Sequence, residues 1–127
     1  MENRQLCIID DDEIYQFTTK RMIELKGLTE SVESFVNGEE ALNWLKNNED
    51  SWPDVIFLDI NMPIMDGWTF LQELRSVPGN PQDKIDIYMV TSSSDALDHK
   101  KASEFPEIKE YIVKPFTFEK LKHCIQE

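Results

Sequence analysis

Short apolar runs alternate with amphipathic stretches from one end of the chain to the other, the order expected of strands and helices that follow one another in a parallel-sheet α/β domain. Leu6-Cys7-Ile8-Ile9 is apolar at every position and stops abruptly at Asp10-Asp11-Asp12-Glu13, which predicts a first strand buried on both faces. Ile14, Phe17, Arg21/Met22 and Leu25 then recur at helical spacing and Gly27 supplies a stop, predicting a first helix with those positions on its apolar face. Residues 31–36 make a weaker second strand. Asn37, with Glu40 three positions later, opens a second helix that turns Ala41, Leu42 and Leu45 inward.

Val55-Ile56-Phe57-Leu58 is continuous apolar sequence, the mark of a central parallel strand, and it ends at Asp59. A third helix starts near Asp66-Gly67 and buries Phe70, Leu71 and Leu74, after which Pro78-Gly79-Asn80-Pro81 forces an exposed loop. Residues 85–90 make the fourth strand, followed by a fourth helix within 94–105 that Pro106 closes. Tyr111-Ile112-Val113 is the fifth strand and ends at Lys114-Pro115; Phe118, Leu121 and Ile125 form the buried face of the last helix.

Length and charge narrow the picture. A chain of 127 residues suits one domain, 1–127, with one ordinary core. Thirteen Lys and Arg against 25 Asp and Glu leave a formal charge of −12, which argues against direct nucleic acid binding and favours partners with basic surfaces. No apolar run approaches membrane-spanning length and no secretory leader opens the sequence, so a cytoplasmic protein without membrane insertion is expected. Cys7 and Cys124 lack any zinc-like spacing and read as buried thiols.

The strand ends carry the chemistry. In a parallel sheet the carboxyl ends of the strands lie along one edge, where such folds bind ligands, and here that edge collects Asp10-Asp11, Asp59, Thr91 and Lys114. Any one of them is adequately explained as a polar strand end meeting water; together they form a constellation. Carboxylates brought close repel one another, and a hard cation held by oxygens removes that repulsion. Magnesium suits one or two carboxylates with waters and a phosphate oxygen, whereas the spacing of a calcium-binding EF-hand loop is absent. A carboxylate is also an oxygen nucleophile, with an unperturbed pKa of about 3.9. Attack on an anionic phosphoryl group needs positive charge nearby, which the cation and Lys114 would supply, with Thr91 donating a hydroxyl hydrogen bond.

Asp10-Asp11, the segment Asp59-Ile60-Asn61-Met62-Pro63-Ile64-Met65-Asp66-Gly67, Met89-Val90-Thr91-Ser92 and Tyr111-Ile112-Val113-Lys114-Pro115-Phe116 together resemble the receiver domain of two-component response regulators, in the family's order and over almost the whole chain. The resemblance implies a flavodoxin-like, doubly wound sheet of five parallel strands in the order 2-1-3-4-5 with five helices, the topology of the chemotaxis member of the family. It implies that Asp59 is the phosphoacceptor, that Asp11 and Asp59 offer side-chain oxygens to Mg2+, that Asp10 holds a metal-bound water, and that the Asn61 backbone carbonyl completes the protein ligands. Lys114, Thr91 and Ser92 would contact the phosphoryl group, and the Lys114–Pro115 bond would be cis. The Asn61 side chain and Ser93 stand where the family tunes the lifetime of the acyl phosphate. Thr91 and Tyr111 stand as the switch pair that remodels the surface of helix 4, strand 5 and helix 5.

A sensor histidine kinase or histidine phosphotransfer protein is the implied donor. The chain ends soon after the fifth helix, so a stand-alone regulator acting through a downstream protein partner, or a relay intermediate, is expected. Two other functions fit parts of the pattern. A phosphatase of haloacid dehalogenase type also uses an Asp nucleophile and magnesium, but wants a second Asp where this chain has Asn61; a degenerate receiver would bind partners without carrying phosphate. Asp12 and Glu13 read as favourable charge at a helix start and Asp66 as a helix cap. Trp44, Trp52 and Trp68 read as packing residues, and His99 and His123 as solvated side chains.

Overall fold

The computed structural model describes residues 4–29, 31–92, 95–115 and 117–126. In chain order the elements are β1 (Leu6–Ile9), α1 (Glu13–Lys26), β2 (Val32–Phe35), α2 (Gly38–Asn47), β3 (Val55–Leu58), α3 (Gly67–Leu74), β4 (Asp86–Thr91), α4 (Ala96–Ala102), β5 (Ile108–Val113) and α5 (Phe118–Gln126). The strands form one parallel sheet in the order β2-β1-β3-β4-β5, as the resemblance implied.

The unbroken apolar runs are explained by a sheet covered on both faces. Successive side chains of a strand point to opposite sides. Cys7, Ile9, Ile56, Leu58, Ile87 and Met89 therefore join one core with Ala41, Leu42 and Leu45 of α2 and Phe70, Leu71 and Leu74 of α3. Leu6, Ile8, Val55, Phe57, Tyr88 and Val90 join the other, with Ile23 of α1 and Leu121, Cys124 and Ile125 of α5. Both cysteines are free and buried. Helix ends follow local chemistry: Asn37 and Asp66 accept hydrogen bonds from the N–H groups of Glu40 and Thr69, and Gly27 ends α1 at φ 62°, a left-handed conformation open to glycine at little cost. Trp52 donates its indole N–H to the Leu45 carbonyl and Trp68 stacks on Phe105, so these two tryptophans pack as expected, as does Trp44 against Phe35.

Four expectations need correction. The apolar positions of α1 point outward: Ile14, Phe17 and Leu25 are 79%, 67% and 70% exposed, while Gln16, Thr19 and Ile23 are buried. Spacing identifies a face but not its direction. Here the Gln16 side chain turns inward, donating from its amide nitrogen to the carbonyls of Asp10 and Phe35, each at 2.9 Å, which offsets part of the cost of burying an amide whose Oε1 accepts no hydrogen bond among the described residues. Met22 alone of the predicted set leans into the core. Second, β5 begins three residues before Tyr111, extended by pairing with β4 across a register irregularity at Ile87/Tyr88. Third, α4 stops at Ala102, ahead of Pro106, because the chain turns there to bury Phe105. Pro81, expected in an exposed loop, is buried at the start of a short 3-10 turn.

Candidate functional site

Parallel pairing extends past the strands themselves and holds the next residue of each at the carboxyl edge. Asp10 N–H donates to the Phe35 carbonyl at 3.0 Å, Asp59 N–H to Ile9 at 2.9 Å and Lys114 N–H to Thr91 at 2.8 Å. The ends of β2, β1 and β3, and those of β4 and β5, are thereby tied before any side chain is considered. Asp12 N–H then donates to Asp10 Oδ1 at 2.9 Å, and Asp12 in turn caps α1 by accepting from the N–H groups of Ile14 and Tyr15. After β3, Ile60 N–H donates to Asp59 Oδ1 at 2.8 Å and fixes the rotation of that carboxylate.

Asp10, Asp11 and Asp59 converge so that one oxygen from each lies within 4.8 Å of the others. Asp10 and Asp59 are buried and Asp11 is exposed, so the cluster opens to solvent on the Asp11 side. The Lys114 ammonium lies 2.7 Å from Asp10 Oδ2. Burial, followed by the charge of Asp10, pushes the Asp59 carboxyl up to about 6 against the opposing effects of Lys114, the Ile60 N–H and a hydrogen bond with Thr91. Burial raises Asp10 as well, opposed chiefly by its hydrogen bond and charge interaction with Lys114 and by the Asp12 N–H. Two buried carboxyls that resist ionisation, Asp10 and Asp59, beside the carboxylate oxygens of exposed Asp11, make an all-oxygen donor set that fits a hard divalent cation.

Thr91 is fully buried at the end of β4 and Ser92 beside it is exposed, as is Asn61. Tyr111 is half-buried on β5 with its ring 4.8 Å from that of His99; His99 is exposed, as expected of a solvated residue, yet has this aromatic neighbour. The Lys114–Pro115 bond is cis. Ser93 and Phe116 lie outside the described residues.

Two contributors were not singled out from the sequence. Gly67 is buried under the Asp59 backbone, its N–H donating to the Ile60 carbonyl at 2.8 Å; its place at the start of the third helix was legible, its contact was not. Tyr15, in the first turn of α1, presents its ring to the Lys114 ammonium at 4.1 Å. Nothing in local spacing announces that contact, because the two residues are near opposite ends of the chain.

The family model for the response regulator receiver domain matches residues 6–126. A probable C4-dicarboxylate response regulator DctR from Priestia megaterium is 31% identical over 96% of this chain, which spans only 50% of that relative. Among solved structures, a two component response regulator from Cytophaga hutchinsonii superposes with a TM-score of 0.87 at 27% identity, covering 98% of this chain and 96% of that one. A response regulator receiver protein from Dyadobacter fermentans gives 0.83 at 28% identity, covering 96% and 94%. With the parallel sheet, its order and the carboxylate cluster at the strand ends all in place, the chain belongs to the response regulator receiver domain family.

Proposed function

We propose that the Asp59 carboxylate accepts a phosphoryl group from a phosphohistidine and that the resulting change of conformation at α4, β5 and α5 is read by a downstream protein. The observation that carries this reading is the meeting of Asp10, Asp11, Asp59, Thr91 and Lys114 at one edge of the sheet. Asp59 forms its oxygen–phosphorus bond as the bond from phosphorus to the donor imidazole nitrogen breaks, and that nitrogen leaves as neutral imidazole, its proton balance settled with solvent. Lys114 exchanges Asp10 for a phosphoryl oxygen, and the Thr91 hydroxyl donates to another; Ser92, exposed just after β4, would contact the same group. Asp10, Asp11, Asp59 and the Asn61 carbonyl would hold Mg2+, which when bound offsets the mutual repulsion of the carboxylates and draws charge from the phosphoryl oxygens.

In this reading Thr91 moves toward the phosphoryl group and Tyr111 turns inward, leaving the His99 ring. Asn61, in place of a second acidic residue, leaves no acid/base for rapid turnover, and with Ser93 it sets how long the acyl phosphate lasts. A sensor histidine kinase or phosphotransfer protein supplies the phosphate in the cytoplasm. Exposed Ile14 and Phe17 in the first half of α1, the helix that follows Asp11, with exposed Leu25 near its far end, form the surface this reading gives to that donor; apolar side chains gathered on one exposed face are a common mark of protein contact.

Incubation with acetyl phosphate, with and without Mg2+, followed by intact mass spectrometry tests the reading. One Mg2+-dependent phosphoryl adduct is expected, absent from Asp59→Asn. No adduct on the native chain, or multiple turnover of a phosphomonoester, would overturn it.

A further inference from the structure

Lys114 is held from two sides. Asp10 Oδ2 lies 2.7 Å from its ammonium, and the centroid of the Tyr15 ring lies 4.1 Å from the same nitrogen. The lysine side chain is only 14% exposed, so water screens little of either attraction. An ammonium within about 6 Å of an aromatic face is drawn to the ring quadrupole, more strongly when it is desolvated. Tyr15 stays neutral: burial raises its phenol well above the ordinary range, and the charges of Asp10, Asp59 and Asp12 add to the effect. The ring therefore attracts the ammonium without competing as an ion.

The two holds differ in kind. An ion pair ties the ammonium to one oxygen, whereas a ring face attracts it over an area. Resting on the reading that Lys114 binds the transferred phosphoryl group, we propose that Tyr15 is a positioning residue for that lysine. Its ring keeps the ammonium inside the pocket while it exchanges the Asp10 oxygen for a phosphoryl oxygen at Asp59. Without the ring, the released ammonium is free to return to water, and the charge has to be desolvated again during transfer.

The test uses the full chain with acetyl phosphate and Mg2+, timing adduct formation by intact mass for Tyr15→Phe, Tyr15→Leu, Lys114→Gln and the Tyr15→Leu/Lys114→Gln pair, with excess donor for the slow variants. Tyr15→Phe keeps the ring and should label within about twofold of native, while Tyr15→Leu should slow by about tenfold. In the Lys114→Gln background Tyr15→Leu should have no further effect, an outcome that a purely structural role for the tyrosine does not produce. In the unphosphorylated chain, NMR should show the Lys114 ε-methylene protons shifted upfield by the ring in native and Tyr15→Phe, and unshifted in Tyr15→Leu. If Tyr15→Leu loses the native circular dichroism, Tyr15→Met takes its place. Native-rate labelling of Tyr15→Leu alongside slow Lys114→Gln, or equal slowing by Tyr15→Leu in both backgrounds, would overturn the proposal alone. Native-rate labelling of Lys114→Gln would instead overturn the phosphoryl-binding role of Lys114, and the proposal with it.

Discussion

Helix α3 starts directly against the backbone of Asp59: a β-carbon placed on Gly67 would lie 2.3 Å from the Asp59 carbonyl oxygen. Backbone cannot yield as a side chain does, so any larger residue at 67 must push α3 away from the strand end that carries the carboxylate. Gly67→Ala is expected to destabilise the fold by about 1–3 kcal/mol and to slow acetyl phosphate labelling of Asp59. Urea unfolding and intact mass would measure the two effects; an unchanged midpoint would show that the close approach is not needed.

Ionisation of Asp59 works against the fold when no cation is present. Its carboxyl is raised from 3.8 to about 6 by burial and then by Asp10, so between those values the folded chain binds more protons than the unfolded one. By linkage, the stability contributed by the protonated group is full below about pH 4 and is lost as pH rises through about 6. In EDTA, Asp59→Asn should therefore be more stable than native at pH 7, by roughly 1–2 kcal/mol, with the advantage shrinking toward pH 4. Thermal unfolding across that range is the check; an advantage that grows on acidification contradicts the assignment.

Cation binding should reverse that balance. A ligand that binds only the folded state stabilises it in proportion to the logarithm of its excess over Kd. Millimolar Mg2+ is expected to raise the native midpoint by several degrees and to raise those of Asp11→Asn and Asp59→Asn much less. EDTA should restore the original value, and equal shifts in all three chains would place the cation elsewhere.

Ile64 is an exposed, β-branched residue at φ 70° in the loop after Asp59. That conformation costs an ordinary L-residue roughly 1–2 kcal/mol, and asparagine tolerates it better. Ile64→Asn should stabilise the chain by about 1 kcal/mol in urea unfolding, since Ile64 buries little that would be lost.

The outward face of α1 offers a test in which stability and function separate. Ile14→Ser and Phe17→Ser should change stability by no more than about 0.5 kcal/mol, because both side chains are already in water. Labelling by acetyl phosphate should be unaffected. Transfer from a phosphorylated histidine-containing protein should slow by tenfold or more, and equal rates with that donor would remove α1 from the docking surface.

Much of the candidate site was legible in the sequence. Asp10, Asp59, Thr91 and Lys114 each stand where an apolar run ends, and a parallel sheet brings such ends to one edge whatever the details of packing. Helix starts were equally local, since Asn37 and Asp66 satisfy N–H groups only three residues away. Element ends were less so: α4 gives way before Pro106 because Phe105 has a core to enter, and β5 runs back to Ile108 because β4 is there to pair with it.

From the sequence alone follow the alternation of strands and helices, the polar residue at each strand end and the caps, because all of these depend on neighbours within a few positions. Only the tertiary structure decided that Gln16 rather than Phe17 faces inward, that Lys114 rests on Asp10, and that Tyr15 lies against Lys114. Those relationships depend on which carbonyls, carboxylates and rings distant segments present to one another, and hydrophobic spacing contains no record of that.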